Sequence, residues 1–167
     1  MHTQANNEPS SGMFPPQQHI LSPVIHMNNS QEILSSILQS TKLSQTGIRS
    51  VLDKAMSPDL AGLLRSQLRE LSGIESEARI LAHQLGWEMK ETDLAVRFLL
   101  DRRNRRKLRS EESNSSIADL LIQSNTKSRI QGLKALHRYP DRDRIAVLSQ
   151  KLIDCQTAAV HQLETFL

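Results

Sequence analysis

Positive charge is missing from the start of this chain: no Lys or Arg precedes Lys42. A secretory signal peptide needs a basic start before an apolar segment, so none is expected. Cys155 is the only cysteine. That excludes a disulfide framework or a cysteine-based zinc site within one chain. Aromatic residues make up 3% of the sequence, too few for the usual core of a β-sandwich. No apolar run approaches the length of a membrane-crossing helix. Gly-rich phosphate loops are absent, and no spacing of Ser, His and acid supports a nucleophile motif. No enzyme, cofactor or membrane role is expected, and the location that fits is cytoplasmic.

What is present is helical in pattern. The 38% hydrophobic content is rich in Leu, Ile and Ala. Length and composition fit one domain with a tail. Residues 1–28 hold Pro9, Pro15, Pro16 and Pro23 among Asn, Gln, Ser and His, and disorder is the expectation. Residues 29–167 read as the folded domain. Translation could begin at Met1, Met13 or Met27.

A first helix is expected from Ser30 to Met56, with Asn29 and Glu32 resembling a capping box. Its inward positions are Leu34, Leu38, Thr41, Gln45, Ile48, Leu52 and Ala55. Ser57-Pro58 starts the second, whose stripe reads Leu60, Leu64, Leu68, Leu71, Glu75, Ala78, Ala82 and Leu85. Gly86 is its stop signal, with Trp87 folding back. A shorter helix is expected from Asp93 to Leu108. Another runs from Asn114 to His137 and is anchored by Ile117, Leu121, Ile130, Leu133 and Leu136. The last follows Asp141, with the stripe Ile145, Leu148, Leu152, Cys155, Ala159 and Phe166. Short connections between long helices imply antiparallel neighbours. The expected fold is all-α, an antiparallel four-helix bundle with an additional short helix.

Four segments carry a resemblance: residues 45–52, 68–82, 122–127 and 148–155. In these the chain is similar to a group of bacterial ferritin-like proteins of unknown function. The resemblance implies a ferritin-like bundle and says nearly nothing of activity. Ferritin-like di-metal proteins place a Glu on each of two helices and Glu-x-x-His on each of the other two. This chain has no Glu-x-x-His, and Ala78 stands where Glu75 would need a histidine. No metal site is expected.

Two residue groups remain. Thr41, Gln45, Glu75, Asn125 and Gln156 fall at or near inward positions. They read as a hydrogen-bond network fixing helix register, or as a small-ligand pocket or residual ion site. Arg79 or Arg49 is placed to balance Glu75. The other group is a basic patch of Arg102, Arg103, Arg105, Arg106, Lys107 and Arg109. It could attract phosphate or an acidic partner, but it lacks aromatic residues for base stacking. The leading expectation is a non-catalytic protein acting through protein contacts, self-association or a structural role. The alternatives are a divergent ferritin-like metal binder serving iron storage or stress, and a basic module for nucleic acid or another polyanion.

Overall fold

The computed structural model describes residues 23–88, 113–139 and 143–167. The expected short helix, the basic patch and the first 22 residues lie outside them. Four helices are described: α1 Pro23–Leu52, α2 Pro58–Gln84, α3 Asn114–Arg138 and α4 Arg144–Glu164. No strand occurs among the described residues.

The caps show why the helices start and stop where they do. Ser57 accepts hydrogen bonds from the backbone N–H groups of Asp59 and Leu60, both at 3.2 Å, and Pro58 takes the first helical position. Ser113 Oγ accepts from Ser116 N at 3.1 Å. Asp143 Oδ1 accepts from Ile145 N at 2.9 Å and Ala146 N at 3.0 Å. Each satisfies donors that the first helical turn leaves unpaired. At the end of α2, Gly86 adopts φ +70, where a side chain would be strained. Trp87 N then donates to Ala82 O at 2.9 Å and Gly86 N to His83 O at 3.1 Å. This is the Schellman pattern, and Trp87 packs back against the core as expected.

The first helix differs from expectation. It starts at Pro23 and ends at Leu52, before Met56. Asn29 and Glu32 therefore sit within the helix rather than cap it. The expected tail boundary at residue 28 cuts through the first turns of α1. Proline at the first helical position has its φ already set and lacks an N–H that would have no partner there.

Hydrogen bonds fix the directions of the helices. Asn114 Oδ1, opening α3, accepts from Met56 N at 3.0 Å and Ser57 N at 3.3 Å, between α1 and α2. At the other end, the hydroxyls of Ser30 and Tyr139 are 2.8 Å apart, and Tyr139 donates to Asp143 Oδ2 at 2.7 Å. Arg144 Nη1 donates to Gln84 Oε1 at 3.0 Å. The helices therefore run up, down, down and up. Around the bundle the order is α1, α2, α4, α3, so every neighbour is antiparallel and α2 and α3 lie on a diagonal. α2 ends at the opposite end of the bundle from the start of α3.

The core is aliphatic. Leu34, Leu60, Leu64, Ile74, Ile117 and Leu163 are fully buried. Gly132 lets α3 approach α4 closely: a Cβ there would sit 3.2 Å from Ile153 Cγ1. One expected anchor fails, since Ile130 is 44% exposed. Leu133 and Leu136 are only half-buried.

Candidate functional site

The polar residues expected at the bundle centre are mostly there. Thr41, Gln45, Asn125 and Gln156 are all buried. Thr41 satisfies itself, its hydroxyl donating to Ile37 O and Leu38 O, both at 2.9 Å. This back-bonding is available to a mid-helix Thr that has no polar neighbour to serve.

Glu75 is half-buried at the margin of the layer rather than inside it. Gln45 Nε2, from α1, donates to its Oε2 at 2.9 Å. Arg79, one turn further along α2, brings Nε to 3.1 Å and Nη2 to 3.0 Å of Oε1. Of the two arginines placed to balance this carboxylate, Arg79 is the one that does so. Both carboxylate oxygens are thus occupied, and its charge is offset by a guanidinium of its own helix.

Gln156 belongs to a separate unit. Its Nε2 donates to Ser128 Oγ at 2.8 Å, joining α4 to α3. No hydrogen bond joins Gln156 to Gln45 or Glu75. The single network expected from the sequence is two units, one per helix pair.

The phase of α2 was misread in part, and a central residue was missed with it. The seam runs Leu60, Leu64, Gln67, Leu71, Ile74, Ala78 and Leu81, a regular alternation of three and four. The expected stripe stepped from Leu64 to Leu68 and from Leu71 to Glu75, which rotates it off the core. Leu68 is partly buried, and Leu85 is exposed. Gln67 is 3% exposed, and among the described residues neither Nε2 nor Oε1 finds a hydrogen-bond partner. A strict heptad count through Leu71 and Ile74 would have found it. Ser44 and Ser149, also buried, were missed because small hydroxyls carry little periodic signal.

Cys155 is partly buried, and its thiol lies 3.5 Å from Glu70 Oε2. Burial first, and then the negative charge and hydrogen bond of Glu70, push its pKa up to about 12. The thiolate is the reactive form, so this is an inert cysteine near neutral pH. His83, His137 and His161 are exposed at or near helix ends. Among the described residues, no group of three or more His, Cys, Asp or Glu could hold a metal ion. No described helix is long and apolar enough to cross a membrane.

The layer can therefore fix the register of two helix pairs through hydrogen bonds of amides and hydroxyls. Comparison with protein-family models, curated proteins and solved structures finds no match for this chain.

Proposed function

We propose that this chain is a non-catalytic helical bundle that acts through protein contacts or as a structural component in the cytoplasm. The observation that carries this reading is the state of Glu75. The one carboxylate expected at the centre is held by the Gln45 amide and the Arg79 guanidinium. A divalent cation would have to displace both and sit beside a fixed positive charge. The remaining central groups are neutral amides and hydroxyls, which cannot offset the charge of two divalent cations.

We further propose a ferritin-like frame. Its support is the up, down, down, up order, with the end of α2 and the start of α3 at opposite ends of the bundle, the helix order of ferritin-like folds. On this reading the frame persists and the ligand set has been replaced by hydrogen bonds that hold register.

The test is thermal unfolding with and without Fe(II) or Mn(II) under anaerobic conditions. An ion that binds only the folded state raises the midpoint with its concentration. The expected result is no rise. A concentration-dependent rise abolished by Glu75→Gln would overturn the reading.

A further inference from the structure

The outer face of α3 carries cations that have no acid paired with them among the described residues. Beyond its middle the helix holds Lys127, Arg129, Lys134, His137 and Arg138, and Asp119 is its only acid. Asp119 accepts a hydrogen bond from Gln123 of the same helix. On the neighbouring α4, Asp154 is likewise held by Gln150. Lys127, Arg129, Lys134 and Arg138 make no ion pair among the described residues. Arg138 lines a cleft with Glu32 of α1. At 100° per residue, Lys127, Lys134 and Arg138 fall within roughly 40° of one line along α3. Ile130 and Leu133 lie beside that line, with Arg129 beyond them on the other flank. This surface is turned away from the buried seam of Ile117, Leu121 and Asn125. Lys127, Ile130, Lys134 and Arg138 are exposed, while Arg129 and Leu133 are half-buried. The Nε of Arg129 is itself buried and finds no acceptor among the described residues. That donor has given up water without gaining a partner.

We infer that this face docks an acidic amphipathic helix of another protein, whose apolar residues cover Ile130 and Leu133 and whose carboxylates meet Lys127, Lys134 and Arg129. The proposal rests on the reading of the protein as one that works through protein contacts, and it names the surface and the chemistry of the partner. Charge complementarity selects the occupant. A second copy of the same face would set cations against cations. A bare polyanion would leave Ile130 and Leu133 uncovered, and α3 has no Phe, Tyr or Trp on which bases stack. A lipid surface calls for a broader apolar face than one Ile and one Leu supply. An amphipathic helix with Leu on one face and Glu along its flanks meets both parts of the surface at once. The cations are mostly exposed and the apolar area is small, so the complex is dissociable and weakens with salt.

Fluorescence anisotropy with a labelled amphipathic peptide of Leu and Glu tests this. Poly-glutamate of the same length, duplex DNA and phosphatidylserine vesicles are the comparisons. The full chain carries Arg102→Gln, Arg103→Gln, Arg105→Gln and Arg106→Gln throughout, which removes the charge of the separate basic run. The peptide should bind at physiological salt, and poly-glutamate at least about tenfold more weakly. Lys127→Glu with Lys134→Glu should raise the peptide Kd at least about tenfold, and Ile130→Ser about fivefold. Melting by circular dichroism should change little, because all three side chains are exposed. Lys127→Gln with Lys134→Gln adds no like charge and should give a smaller loss in the same direction. No peptide binding, peptide binding indifferent to these changes, or tighter binding to DNA or to the vesicles than to the peptide would overturn the inference. Each of those results leaves the wider reading standing, because that reading is decided by metal.

Discussion

At the scale of single residues, Gln67 is the position where the fold and its chemistry disagree most. It occupies a central seam position, and neither amide atom finds a partner among the described residues. A buried polar group without a partner forfeits its hydration, whereas an apolar group of the same shape does not. Gln67→Met should therefore stabilise the chain by about 1–3 kcal/mol in urea unfolding. A loss of stability would mean that the amide makes a bond, for instance to a buried water. Gln45→Leu should act in the opposite direction, costing about 1–3 kcal/mol, because it takes a donor from the Glu75 carboxylate. Both effects follow from packing phase, and they show how much was legible. Thr41, Gln45, Asn125 and Gln156 were readable as buried because Leu and Ile flank them at helical spacing. Gln67 was not, because Leu68 beside it offers an equally apolar step. Only tertiary packing chooses between the two.

Cys155 gives a test at the same scale. With its pKa raised to about 12, alkylation at pH 8 should be far slower in the native chain than after unfolding, and Glu70→Gln should speed it. The sign for stability follows. The folded state holds the proton more tightly than the unfolded value of 9.0 allows. The thiol's contribution is therefore complete below that pH and is lost as pH rises toward about 12. Cys155→Ala should remove that part of the alkaline decline. Native alkylation as fast as that of the unfolded chain would show an accessible thiolate.

At the scale of elements, caps carried the prediction. Ser57-Pro58 and Gly86-Trp87 bracket α2 in the sequence, and the structure uses both. Gly86→Ala places a Cβ at φ +70 and should cost about 1–2 kcal/mol. Little or no cost, measured by chemical denaturation, would mean that the turn readjusts. The beginning of α1 was missed although Pro23 carries the same signal as Pro58. The prolines and polar residues around it outweighed one capping cue, since composition is judged over a window and a cap over one or two residues. Ile130 was misplaced for a related reason. α3 has only Ile117, Ala118, Leu121 and Asn125 fully buried, so its later turns offer little pattern to fix a face.

At the scale of the whole molecule, the all-helical architecture was legible from periodicity and short connections. The order of the helices around the axis was not. It depends on contacts such as Asn114 with Met56 and Ser57, which join residues far apart in sequence. The basic run from Arg102 to Arg109 lies between α2 and α3, outside the described residues. Changing Arg102, Arg103, Arg105 and Arg106 to Gln should preserve the circular dichroism spectrum and abolish weak, salt-sensitive binding to polyanions. Sequence-specific binding of wild type to DNA or RNA at physiological salt would give that segment a larger role.

The central claim is that hydrogen bonds, rather than metal ions, organise the middle of this bundle. Elemental analysis of untagged protein, expressed in medium supplemented with iron and manganese, tests it most directly. The account predicts metal far below one ion per chain, unchanged in Glu75→Gln. Iron or manganese near two ions per chain, lost in that variant, would contradict it.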